Sequence, residues 1–120
     1  MSINQGEIWL VNFDPAIGSE IKKARPCIVV NHNLFGRFGM KVVVPVTGWK
    51  DYFCDYPWIL KLIPNDKNNL SKLSAVECFQ IKSFSHERFI KKLGEVEKNF
   101  LKDIHQTILK VFNPQYSINQ

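Results

Sequence analysis

The stretch GEIWLVNFDPAIGSEIKKARP, residues 6–26, sets the pattern from which the rest of the chain is read. Its first part, EIWLVNF at 7–13, gathers aromatic and branched side chains into a short run, and such residues suit a pleated, half-buried strand. The run stops at Asp14-Pro15. Residues 14–25 are polar, punctuated by Pro15 and Gly18, and read as a loop. The chain then enters a second apolar run, PCIVV at 26–30, so the opening predicts two strands joined by a long polar connection.

Working outward, KVVVPV at 41–46 reads as a third buried strand, separated from the second by NHNLFGRFGM, whose two glycines mark a turn. WILKLI at 58–63 alternates in part, with Lys61 outward and Trp58 read as core, and PNDKNN at 64–69 is the clearest turn in the chain. SAVECFQIKS at 74–83 is read as a further strand with Ala75, Glu77, Phe79 and Ile81 on one face. A short helical turn is expected near 85–89, with Ser85 as its N-cap. The last third changes period. Phe100, Ile104, Ile108 and Phe112 recur every four residues with lysines opposite, which predicts an amphipathic helix of about four turns ending near Asn113-Pro114. The expected class is α+β, mainly antiparallel β, with a C-terminal helix laid on the sheet.

Composition bounds the rest. A chain of 120 residues with 45% hydrophobic and 22% charged residues has room for one core and is too apolar to be disordered. No apolar run approaches the roughly 20 residues needed to cross a bilayer. Residues 1–6 have neither the basic flank nor the apolar stretch of a signal peptide, so a cytoplasmic protein with no membrane partner is expected. Cys27, Cys54 and Cys78 are far apart and form no C-x-x-C pair, which argues against a disulfide framework or a structural zinc site. Cys27 and Cys78 lie in apolar runs and read as small buried hydrophobes. The net charge of +5 suits a polyanionic partner, although, taken alone, so modest an excess is better explained by an ordinary solvated lysine surface.

Residues 6–26 resemble the opening of MazF/PemK-like toxins: a G-E-I-W strand, a D-P turn, G-S-E, then R-P entering the second strand. VPVT at 44–47 is similar to that family's third strand, which closes on a threonine. LSKLSAVECFQIKSFSHERF at 70–89 is similar to its later strand with a glutamine and a short helix carrying an arginine. LGEV at 93–96 precedes a terminal helix, as in the family. The resemblance runs in order over nearly the whole chain and implies one such domain across residues 1–120. It further implies an SH3-like small barrel with a C-terminal helix that forms a homodimer, cleaves single-stranded RNA without metal or other cofactor, and is restrained by a cognate antitoxin protein. Two positions depart from the pattern. Phe79 stands just before the glutamine where many members have an acid, and Ala24 precedes Arg25 where some have a basic or imidazole side chain.

The resemblance assigns catalytic roles to Arg25 and Thr47, and the chemistry suits both. Cleavage by the substrate's own 2′-OH requires stabilisation of charge on the phosphoryl oxygens. The planar guanidinium of Arg25 can pair with two of those oxygens, and Pro26 biases Arg25 toward extended backbone. The Thr47 hydroxyl, at a strand end, can donate to a phosphate oxygen. Glu20 is the carboxylate nearest Arg25 in the matched loop and the obvious base candidate. Ser19, Lys22, Lys23, Trp49, Lys50 and Gln80 are candidate RNA contacts: a hydroxyl, a cationic field, a ring for stacking and a base-edge amide. Tyr52 is a further ring in the loop after Thr47. No histidine falls on a matched position, and His32, His86 and His105 read as surface or half-buried groups. A binding-only, gyrase-inhibitor-like toxin on the same barrel and a catalytically silent interaction module are the alternative readings.

Overall fold

In a computed structural model, which describes residues 2–13, 23–35 and 39–113, β1 (Glu7–Asn12) is the hub of the sheet. It runs antiparallel to β2 (Ala24–Val29) on one side and to β7 (Phe89–Glu95) on the other. β2 pairs in turn with β3 (Met40–Gly48). The nine residues of β3 change partner along their length, lying against β6 (Lys82–Ser85) near the start and β5 (Ser74–Glu77) at the end. β4 (Ile59–Leu62) completes a seven-stranded sheet in the order β4-β5-β3-β2-β1-β7, with β6 branching from β3. All of these pairings are antiparallel.

Alternation along the strands divides the apolar residues between two faces. Ile8, Ile28, Val44, Val46 and Val76 face one way and pack with Ile104 of the helix α1 (Lys98–Phe112). Trp9, Val11, Cys27, Val29, Val43 and Phe89 form a second cluster. The predicted helix is present and ends at Asn113 as expected, with Ile104 and Thr107 as its buried residues. Phe112, at the end of the predicted stripe, is exposed. The 3₁₀ turn at His86–Arg88 is capped as expected, Ser85 Oγ accepting from Glu87 N.

Three expectations are corrected. SAVECFQIKS is two strands, because a turn at Cys78–Phe79, closed by Gln80 N donating to Glu77 O at 3.1 Å, ends β5 and starts the run into β6. Ala75 and Glu77 therefore share a face of β5, whereas Phe79 is thrown outward and is 63% exposed. Trp58 is 38% exposed and is covered by rings instead of core, stacked on Tyr56 at 5.1 Å and tilted against Phe79 at 6.1 Å. The strand β7 falls where the sequence pattern gave only a turn followed by a helix approach. Its partner β1 shows register shifts at Ile8/Trp9 and Leu10/Val11, so the two strands meet without the clean alternation by which strands are recognised.

β7 is held close to the predicted 64–69 turn. Asn68 is buried and its side-chain amide makes three hydrogen bonds: Oδ1 accepts from Asn65 N and Leu70 N at 3.0 Å each, and Nδ2 donates to Ile63 O at 2.9 Å. A Cβ on Gly94 would lie 2.5 Å from Asn68 O, so the close approach of β7 to this turn requires glycine.

Candidate active site

The β2/β3 register pairs Cys27 with Pro45, Ile28 with Val44 and Val29 with Val43. Carried two residues further along both strands, the same register sets Arg25 opposite Thr47. Directly opposed residues of an antiparallel pair have Cβ atoms about 4.5–5.5 Å apart on one face. The β1/β2 register places Val11 on the other flank of Arg25, and β3/β5 places Ala75 beside Thr47. Val11, Cys27 and Ala75 are fully buried. Arg25 itself is exposed and Thr47 half-buried, so a rigid floor carries two polar side chains toward solvent.

Arg25 and Thr47 form the ridge between two clefts. The larger, about 530 Å³, is bounded further by Lys50, Phe53, Glu77, Gln80 and Lys82. Its volume lies within the roughly 300–1,000 Å³ usual for small-ligand sites. The smaller, about 250 Å³, lies toward Gly48, Ser71, Lys72 and Ser74. Here the Lys72 ammonium sits over Gly48, where an added Cβ would come within 3.4 Å of Nζ.

The clefts are electropositive. Among the described residues the ion pairs join Lys92 to Glu7 and Glu95, away from this ridge, and none neutralises Arg25, Lys50, Lys72 or Lys82. The buried Cys27 thiol registers the same field. Burial pushes its pKa up to about 12 while the Arg25 and Lys82 cations pull it down, so it stays protonated and is no nucleophile.

On the far wall Gln80 Nε2 donates to Glu77 Oε1 at 3.0 Å, which points the Gln80 amide oxygen away from that carboxylate. Trp49 is half-buried, with its ring edge-on to Phe53 at 5.8 Å and Lys61 Nζ 4.8 Å from its centroid. Tyr52, 56% exposed, packs on the other side of Phe53 at 4.9 Å.

Of the residues singled out from sequence, Arg25, Thr47, Lys50 and Gln80 are brought to one cleft. Trp49 reaches that cleft only through Phe53. Lys23 is exposed next to β2, where its carbonyl accepts from Phe13 N at 2.9 Å. Ser19, Glu20 and Lys22 lie outside the described residues. The histidines stand elsewhere: His105 Nε2 lies 2.9 Å from Val30 O, His86 Nδ1 lies 3.1 Å from Gly39 O, and His32 Nδ1 accepts from Leu34 N. Sequence reasoning missed Lys82 and Phe53 as lining groups and gave Glu77 no role. The alternation of SAVE was the available signal for Glu77, which shares a face with Ala75 and so with Thr47.

Comparison with known proteins agrees with this geometry. The chain matches, over residues 4–112, the family described as PemK-like, MazF-like toxin of type II toxin-antitoxin system. It is 31% identical over 113 residues to Endoribonuclease MazF9 of Mycobacterium tuberculosis, covering 88% of this chain and 92% of that one. It is 46% identical over 93 residues to Endoribonuclease toxin ChpB of Escherichia coli, covering 75% and 77%. Among solved structures, a MazE–MazF complex from Deinococcus radiodurans superposes with a TM-score of 0.73 at 20% identity, over 92% of this chain and 96% of that chain. A mycobacterial endoribonuclease in complex with its cognate antitoxin does so at 0.72 and 19%, over 97% and 100%. The expected mainly antiparallel fold with its C-terminal helix is thus the fold of known MazF toxins, and the chain belongs to the PemK-like, MazF-like toxin family.

Proposed function

We propose that the chain is the toxin of a type II toxin–antitoxin system and an endoribonuclease that cuts single-stranded RNA without a metal ion, with Arg25 and Thr47 as its phosphate clamp. The supporting observation is that both side chains line the same cationic cleft, where the β2/β3 register continued past Cys27 and Pro45 would set them opposite each other. Its curated relatives carry the name endoribonuclease, and no observation favours the binding-only or silent alternatives.

The guanidinium takes two oxygens of the scissile phosphate and the Thr47 hydroxyl donates to one of them. As the 2′-oxygen adds to phosphorus, charge grows on those oxygens, and donors fixed by the sheet need no reorganisation to meet it. The ends produced are a 2′,3′-cyclic phosphate and a 5′-OH. Lys23, Lys50 and Lys82 supply the field that holds the backbone, Gln80 offers its amide to a base edge, and Phe53, backed by Trp49, offers a ring. On sequence grounds Ser19 and Lys22 are added as RNA contacts and Glu20 as a carboxylate of the site. The protein acts in the cytoplasm, where its RNA substrate lies, as the homodimer that the family resemblance implies. A cognate antitoxin, such as those in the solved complexes of its structural neighbours, inhibits it by covering the Arg25 face.

The test is incubation of purified protein with a long single-stranded RNA in EDTA. Discrete cuts bearing cyclic phosphate ends, lost in Arg25→Ala, are expected. Intact RNA would refute the proposal, as would cutting that needs an added divalent ion. Light scattering checks the dimer, and cleavage that continues under saturating antitoxin would refute the shared face.

A further inference from the structure

The cleft contains one carboxylate among its described lining residues, and its placement relative to the phosphate clamp is specific. β3 and β5 pair Val46 with Val76 and Thr47 with Ala75, so the same register sets Glu77 opposite Pro45, one step diagonal from Thr47. Diagonal neighbours of this kind lie about 7–8 Å apart, their Cβ atoms somewhat closer. Arg25 lies one strand beyond Thr47. Glu77 therefore stands on the clamp's own face, one strand from Thr47 and two from Arg25, and it forms no ion pair with a described lysine or arginine. It is half-buried, its Oε1 is held by Gln80 Nε2, and the turn that follows directs Phe79 away toward Trp58. A carboxylate so fixed lines the same cleft as Arg25 and Thr47. The cations that line the same cleft are Arg25 from β2, Lys50 from the loop after β3 and Lys82 from β6, while Lys61 from β4 lies over the Trp49 ring.

We propose that Glu77 is a catalytic residue, the general base that accepts the 2′-OH proton. The proposal rests on the endoribonuclease reading above. In the step, the proton moves to the Glu77 carboxylate, the 2′-oxygen forms its bond to phosphorus, and the P–O5′ bond breaks with its electron pair leaving on O5′. That oxygen takes a proton from water, and Glu77 later returns its own proton to solvent. The reaction is an internal transesterification and needs no co-reactant.

The experiment measures single-turnover cleavage against pH for the wild type, Glu77→Gln, Glu77→Asp, Glu20→Gln and Gln80→Ala. Affinity is measured alongside, for an RNA whose cut-site nucleotide is 2′-deoxy. Glu77→Gln is expected to lower the rate by about 10²-fold or more, the usual contribution of a positioned base. It should also abolish the fall in rate on the acid side while leaving affinity for the deoxy RNA unchanged. Glu77→Asp should retain the acid limb at reduced rate. Gln80→Ala and Glu20→Gln should each keep that limb.

A cutting wild type whose Glu77→Gln variant keeps both rate and acid limb overturns the proposal alone. So does loss of affinity in Glu77→Gln equal to its loss of rate, or a limb abolished by Glu20→Gln instead. If Gln80→Ala reproduced the Glu77→Gln loss, and both kept the limb, Glu77 would act only by positioning Gln80. A wild type that leaves every RNA intact overturns the endoribonuclease reading and this proposal together.

Discussion

Replacing Glu7 tests whether the acid of the opening G-E-I-W pattern is structural. Glu7 is 8% exposed; its Oε1 accepts from Asn4 N at 2.8 Å and from Trp9 Nε1 at 3.0 Å, and its Oε2 lies 3.0 Å from Lys92 Nζ. It therefore ties the N-terminal segment, β1 and β7 together, and β1 in turn fixes β2 and Arg25. Glu7→Ala strands the indole N–H of a Trp9 that is 5% exposed, and an orphaned buried donor costs about 1–3 kcal/mol. The Asn4 amide is less buried and adds up to about 1 kcal/mol. The ion pair contributes little, about 0–1 kcal/mol, since the Lys92 side chain is 40% exposed. The sum is about 1–5 kcal/mol. With an unfolding entropy of about 2.1 cal/mol/K per residue, a chain of this length loses about 4 °C of Tm per kcal/mol, so a fall of about 4–20 °C is expected.

Glu7→Gln keeps an acceptor and loses the charge, which gives a smaller fall and a sharper signature. Burial pushes the Glu7 carboxyl up, but the hydrogen bonds from Trp9, Asn4 and Lys92 outweigh it and hold the pKa below the ordinary 4.5. A depressed carboxyl contributes stability that is complete above its unfolded value and is lost as pH falls through the folded one. The Lys92 ammonium, raised mainly by its hydrogen bond to Glu7, loses its contribution only far on the alkaline side. Thermal melts followed by circular dichroism should show a Tm gap between wild type and Glu7→Gln that is flat near neutrality and closes below about pH 4.5. A gap that persists unchanged to pH 3, or widens, would refute the assignment. The folded variant should cut RNA at the same sites as the wild type.

Arg25→Ala and Thr47→Ala should each slow cleavage by about 10²–10³-fold, as expected for loss of one transition-state donor. Tm should shift little for Arg25→Ala, because its side chain is exposed; a matching loss of stability would assign it a structural role. Gly94→Ala should destabilise the fold strongly, because the new Cβ meets the Asn68 carbonyl at 2.5 Å; a urea midpoint equal to wild type would disprove the contact. Ile104→Ala empties a fully buried position between α1 and the sheet and should cost about 2–5 kcal/mol in denaturant titration. A loss under 1 kcal/mol would mean that α1 docks without it.

Strands β1 to β4, the helix α1 and much of the core followed from local patterning. Runs such as IVV at 28–30 and VVV at 42–44, and the four-residue spacing of α1, carry their structure in short stretches of chain. β7 was not legible, because the extra residues Leu93 and Ile90, unpaired against β1, break its period of two, and its exposed lysines stand where apolar residues would have advertised a strand. The break at Cys78–Phe79 was hidden for a different reason. The turn is closed by backbone hydrogen bonding, with no glycine or proline to mark it.

Sequence likewise named Arg25, Thr47, Lys50 and Gln80 as site residues, through local motifs and the chemistry of their side chains. Which of them share a cleft is a property of strand register. A slip of one residue between β2 and β3 would send Arg25 and Thr47 to opposite faces, and hydrogen bonds across the sheet, between segments about twenty residues apart, fix that choice. The same pairing brought in Lys82 and Glu77 from β6 and β5, distant segments with no motif to announce them. The sequence by itself determined which functional groups the protein possesses, and the tertiary structure decided which of them line the same cleft.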